Sequence, residues 1–120
     1  MSLCVLYCIV RQHHTFIQAN LHFVELDVTS DESVKNAVAE TSNATDGQID
    51  VLVNNAGEGL NGGMETVSLE RAKQHFEVNL WGCFRMVQAV APVMRERGAG
   101  GQIVNISRCI YLFAFWQWGT

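Results

Sequence analysis

Apolar and polar side chains alternate through Leu21-His-Phe-Val-Glu-Leu-Asp-Val28. Period two with β-favouring residues predicts a strand. Thr29-Ser-Asp-Glu32 follows; with Thr29 as N-cap, Glu32 stands at N3, the capping-box spacing. Val34, Ala37 and Val38 then share one helical face, and Gly47 marks the stop. The short run Ile49-Asp-Val-Leu-Val53 has the β-branched, mostly apolar character of a strand covered on both faces of a parallel sheet. Asn54-Asn-Ala-Gly57 ends it, and a Gly-rich loop continues to Gly63.

From about Thr66 a longer helix is expected. Leu69, Ala72, Phe76, Leu80, Cys83, Val87, Val90 and Met94 recur at steps of three and four, which predicts one continuous apolar stripe. Pro92 should kink or loosen its last turns, and Gly98 to Gly101 should end it. Gln102-Ile-Val-Asn-Ile-Ser107 reads as a third strand. Strand, helix, strand, helix, strand predicts an α/β unit: a parallel sheet with right-handed crossovers and helices on its faces. Ligands of such sheets bind beyond the carboxyl ends of the strands. Asp27, Asn54 to Gly57 and Ser107 are therefore expected along one edge.

Composition narrows the function. A chain of 120 residues, 48% apolar and 17% charged, suits one globular domain. Its net charge is -4, and its eight Lys and Arg residues are scattered, with no basic stripe for nucleic acid. Cys4, Cys8, Cys83 and Cys109 show no CxxC spacing, so reduced thiols are expected. His13 and His14 are adjacent and cannot share a helix face as metal ligands; no metal site is expected. The apolar start Met1–Val10 is too short to span a bilayer and lacks a basic n-region and a cleavage site. A soluble, cytoplasmic protein without membrane partners is expected.

One GxGxxG occurs, Gly57-Glu-Gly59-Leu-Asn-Gly62, after a predicted strand. It would hold pyrophosphate only if its third glycine opened a helix, and Gly63-Met-Glu65 intervene before Thr66. The plainer alternative is a flexible connection.

A set of motifs in register says more. Leu26-Asp-Val-Thr29, Asn54-Asn-Ala-Gly57, Asn79 within Phe-Glu-Val-Asn-Leu, and Ile103-Val-Asn-Ile-Ser107 resemble the short-chain dehydrogenase/reductase family in order and spacing, over roughly residues 21–107. The resemblance implies a partial doubly wound, Rossmann-like parallel sheet that binds NAD or NADP. It implies hydride transfer between the nicotinamide and a small-molecule carbonyl or alcohol. Asp27, with Val28 beside it, would accept a hydrogen bond from adenine; a strand-end turn or cap is the alternative for Asp27. Asn55, Ala56 and Gly57 would line the adenosine and ribose, where small side chains allow close approach. Asn79 would take the catalytic position, at a helix distortion holding a relay water. Its alternative is a helix-face Asn at the edge of the stripe.

The chain also departs from the family. Family chemistry needs a Tyr with a Lys four residues later, because a free phenol near pKa ~10 is a poor base at neutral pH. The only tyrosines are Tyr7 and Tyr111, followed four residues on by Arg11 and Phe115; the only lysines are Lys35 and Lys73. Ser107 matches the first of the family's two strand-end serines, and Arg108 stands at the catalytic second. Neighbouring strand residues face opposite ways, so Ser107 does not substitute. No glycine precedes Gly47, so the N-terminal pyrophosphate loop is missing. The expected organisation is an unassigned leader 1–20, a partial NAD(P)-binding domain 21–107, truncated at both ends, and an apolar tail 108–120. Such a fragment is expected to be inactive and to lose dinucleotide binding with the missing loop. A second expectation, from another functional class, is a non-catalytic interaction module that pairs, as a homo-oligomer, through the helix 66–97.

Overall fold

The computed structural model describes residues 23–60, 62–63, 65–98 and 100–107. Expectations resting on Cys4, Cys8, Cys109, His13, His14, Tyr7, Tyr111 and Arg108 lie outside them. The order is α1 (Asp31–Ala44), β1 (Val51–Asn54), α2 (Leu69–Phe76), a π-helical segment (Glu77–Gly82), α3 (Cys83–Glu96) and β2 (Gln102–Asn105). β1 and β2 pair in parallel, Val51 with Gln102 through Asn54 with Asn105. The α2–α3 rod forms the crossover that a parallel pair requires.

Residues 23–28 realise the alternation without the ladder. Leu26 and Val28 are buried while Phe23, Glu25 and Asp27 are exposed, yet no strand is assigned there. A strand needs a hydrogen-bonded neighbour, and among the described residues β1 has β2 alone. The expected three-strand sheet is therefore a two-strand sheet here, with the 23–28 run attached through helices. The last strand also ends early, at Asn105 instead of Ser107.

Helix α1 starts one residue later than the capping-box spacing suggests. Ser30 is the N-cap and its Oγ accepts from Ser33 N–H at 3.2 Å. The Thr29 hydroxyl instead donates to Asp27 Oδ1. The stop falls as expected: Gly47, at φ +76°, donates its N–H to Ser42 O. Likewise Gly98 takes φ +71° just past α3.

The long helix is not one stripe. It begins at Leu69, capped by Ser68 Oγ, and passes through π geometry before α3. Wider i→i+5 turns advance the chain by less rotation per residue, so the apolar phase slips. Buried positions run Gly82, Met86, Val90 and Met94: of the expected stripe Val90 and Met94 are buried, while Gly82 and Met86 were not in it. Leu69, Phe76 and Leu80 are more than half or half exposed, together with Trp81 and Phe84. Pro92 sits inside α3, on an exposed position.

The core comprises Leu26, Val28, Val34, Ala37, Ile49, Leu52, Met86, Val90 and Met94. It lies where α1 and α3 pack together over β1. Gly82 sets how closely the rod approaches the 23–28 run. A Cβ there would stand 2.7 Å from Val28 Cγ2 and 2.9 Å from its Cβ. Val28 is β-branched and buried, so it has little room to move. Gly82→Ala should lower stability by about 1–3 kcal/mol, seen as a lower urea midpoint. Val28→Ala in the same chain should recover part of that loss through the added space. An unchanged midpoint in Gly82→Ala would show that these segments do not meet.

Candidate functional site

Parallel pairing brings the ends of β1 and β2 out on the same side. Asn55–Gly57 follow the first, and Ile106–Ser107 follow the second, with Ile106 N–H bonded to Asn54 O at 2.8 Å. The adjacent residues Gly82 and Cys83 then tie these ends to Val28. Gly82 faces Val28, while Cys83 Sγ lies 3.4 Å from Asn54 Nδ2 and 3.2 Å from Asn105 Oδ1. Val28, Asn54 and Asn105 are thus connected through one helix junction and not through a third ladder.

Asn54 Nδ2 donates to Asn105 Oδ1 at 2.8 Å, joining the two strand ends. Asn54 is buried and its Oδ1 has no hydrogen-bond partner. Burial raises the Cys83 thiol, with the Asn54 amide pulling the other way, so the sulfur stays protonated at neutral pH.

Asp27 opens a tight turn in which Ser30 N–H donates to Asp27 O at 3.1 Å. Its Oδ1 accepts from the Thr29 hydroxyl at 2.7 Å and from Thr29 N–H at 2.9 Å. These bonds are those of the turn residue that local chemistry favours for Asp. The side chain is exposed, so its carboxylate also faces outward as an acceptor. Asn55 and Gly57 are exposed and Ala56 half-buried, a ledge of short side chains.

Asn79 stands inside the π segment, where the resemblance implies a distortion. Its carboxamide clamps the backbone of Glu58: Oδ1 accepts from Glu58 N–H at 2.9 Å and Nδ2 donates to Glu58 O at 3.0 Å. His75 Nε2 lies 3.1 Å from the same Nδ2. A Cβ on Gly57 would come within 3.2 Å of Asn79 Oδ1, so its bareness serves a contact within the chain. Gly59 and Gly62 do not lead into a helix, because α2 starts at Leu69. Both α1 and α2 have acidic first turns, Asp31 with Glu32 and Glu70, which disfavour a phosphate at either N-terminus.

Charged residues absent from the sequence-predicted set brace this region. Arg85 bonds Asp31 Oδ1 at 2.7 Å, Glu77 Oε1, and Val28 O at 3.5 Å. Arg97 pairs with Asp50 beside the start of β1. Arg71 grips Glu58 with both terminal nitrogens, at 2.9 and 3.2 Å. Only Gly82 had a visible signal, a glycine within a helical pattern. Among the described residues, no group of His, Cys, Asp or Glu is placed to hold a metal ion, and no helix is long and apolar enough to cross a membrane.

The sequence model of the short chain dehydrogenases matches residues 8–115, running past 21–107 at both ends. The chain belongs to that family. Retinol dehydrogenase 8 of Homo sapiens is 44% identical over 84 residues, 70% of this chain and 26% of that protein. Estradiol 17-beta-dehydrogenase 1 of Rattus norvegicus is 41% identical over 88 residues, 73% of this chain and 25% of that protein. The chain spans about a quarter to a third of the length of the curated relatives it matches. A short-chain dehydrogenase/reductase from Burkholderia xenovorans superposes with TM-score 0.63 at 41% identity, over 69% of this chain and 32% of that one. ElxO with NADP bound gives TM-score 0.71 at 31% identity, over 80% and 38%. The family consists of NAD(P)-dependent oxidoreductases on the Rossmann fold, and the parallel pair with its helices is part of that α/β architecture.

The Thr29 hydroxyl, and next its N–H, holds the Asp27 carboxyl below its ordinary pKa. Folding lowers this pKa, so the group's contribution to stability is complete above the unfolded value and is lost as pH falls through the folded one. Thr29→Val removes the larger cause and should raise the Asp27 pKa toward its ordinary value, as followed by carboxyl NMR titration. A titration curve that does not move would refute the turn geometry.

Proposed function

We propose that this chain carries the adenosine side of a dinucleotide site. Asp27 and Val28 meet the adenine, and Asn55, Ala56 and Gly57 form the ledge beneath adenosine and ribose. The observation that carries this is the Gly82–Cys83 junction, which touches Val28 on one side and Asn54 and Asn105 on the other. An outward carboxylate and a ledge of short side chains fit an adenine amino group and a flat ring. Pyrophosphate finds no comparable cradle among the described residues, because both helix N-termini are acidic. A bound NAD or NADP would supply hydride exchange at nicotinamide C4 with a carbonyl or alcohol. Asn79 contributes by fixing the Glu58 backbone beside the ledge from within the π-helical segment, and we assign it the family's relay position on that basis.

A polypeptide of these 120 residues alone is proposed to be inactive, since no Tyr has a Lys four residues on and Arg108 replaces a serine. General acid/base catalysis is worth roughly 10²–10⁴-fold and needs its group within hydrogen-bond reach. The domain division 1–20, 21–107 and 108–120 belongs to the same proposal. A second reading, pairing with a second copy through helix 66–97, is favoured by the exposed Leu69, Phe76, Leu80, Trp81 and Phe84.

The purified chain should show no NAD(P)H oxidation against a panel of ketones, and Arg108→Ser should restore none. AMP should shift the NMR signals of residues 27–28 and 55–57 and leave those of α3 in place. Turnover that tracks the protein and disappears in Asn79→Ala would overturn the proposed inactivity. For the second reading, sedimentation should show a dimer that Trp81→Glu dissociates; a monomer with AMP bound would exclude it.

A further inference from the structure

Arg71, His75 and Asn79 are spaced by four, so they lie on one face of the helical rod. That face holds Glu58, in the segment after β1, at two points. Asn79 holds the Glu58 backbone at both its N–H and its C=O, and Arg71 holds the Glu58 carboxylate with both terminal nitrogens. Arg71 is itself well rooted, because its N–H donates to Ser68 Oγ at the start of α2. Glu58 follows Gly57 directly, so whatever fixes Glu58 fixes the end of the Asn55–Gly57 ledge.

We propose that Glu58 and Arg71 form a salt-sensitive latch, and are positioning residues that hold the adenosine ledge against the rod. The inference rests on the assignment of that ledge to adenosine. The Asn79 bonds set the direction of the backbone, and the ion pair joins two residues thirteen positions apart in the chain. A bidentate guanidinium–carboxylate pair fixes orientation as well as distance. It is partly exposed on both sides, with side-chain exposures of 45% for Arg71 and 29% for Glu58, so dissolved ions reach it.

The test uses the full chain, with Glu58→Gln, Arg71→Gln, and the exchanged pair Glu58→Arg with Arg71→Glu. Hydrogen–deuterium exchange reads the amides of residues 56–59, with those of α3 as the folding control, and AMP binding is measured in parallel. Each single variant should reduce ledge protection and AMP affinity by about two- to fivefold, the range an exposed ion pair supports. Salt at about 1 M should do the same to the unaltered chain. Recovery of protection in the exchanged pair distinguishes a charge latch from general packing. Unchanged protection in the single variants, or an exchanged pair as loose as either, overturns the latch. A loosened ledge with unaltered AMP affinity overturns its positioning role. Absence of AMP binding by the unaltered chain overturns instead the adenosine assignment on which the role rests.

Discussion

The closeness of Gly82 to Val28 determines the rest of the arrangement. Without a side chain at that position, the rod lies directly on a buried valine, and the neighbouring Cys83 reaches both strand ends. Moving the rod outward by the width of a methyl group would separate Cys83 from Asn54 and Asn105 and draw Arg85 from the Val28 carbonyl. The polar bracing is therefore subordinate to a steric condition. Its charged members are partly exposed and individually weak, whereas the contact beneath them is dry and close-packed.

Among the described residues, the one buried side-chain nitrogen or oxygen without a hydrogen-bond partner is Asn54 Oδ1. A carboxamide joining two strands and a helix must orient its donor toward Asn105, and that choice leaves the oxygen turned into protein. Such an arrangement costs on the order of 1–3 kcal/mol in desolvation, and the packing around it must outweigh that.

The sequence made the element types legible, and the departures have local causes. Alternation at 23–28 correctly separates inward Leu26 and Val28 from outward Asp27, because burial follows side-chain pattern; the ladder does not follow, because it depends on a neighbour. The cap falls at Ser30 while the Thr29 hydroxyl donates back to Asp27, an arrangement that spacing alone does not reveal. The single stripe failed at Glu77–Gly82, where π turns shift the phase within a run whose residue types look uniformly helical. Asn79 was visible through its motif, but its partner Glu58 was not: backbone groups carry no sequence signature. The Arg71–Glu58 and Arg85–Asp31 pairs were equally hidden, as their members lie thirteen and 54 positions apart.

The parallel register of β1 and β2 also bears on how the chain reaches this state. Asn54 and Asn105 meet across 51 positions, Asp31 and Arg85 across 54, and Asp50 and Arg97 across 47. Each such meeting closes a long loop before any compensating contact exists, and topologies of this kind fold slowly. Helix α3 can form from local interactions well before β2 finds β1. In that interval Met86, Val90 and Met94 face water beside an unpaired strand, the type of surface on which folding chains aggregate. Nascent chains of this topology would therefore depend on dilution, or on a chaperone that covers α3, until the second strand is in place.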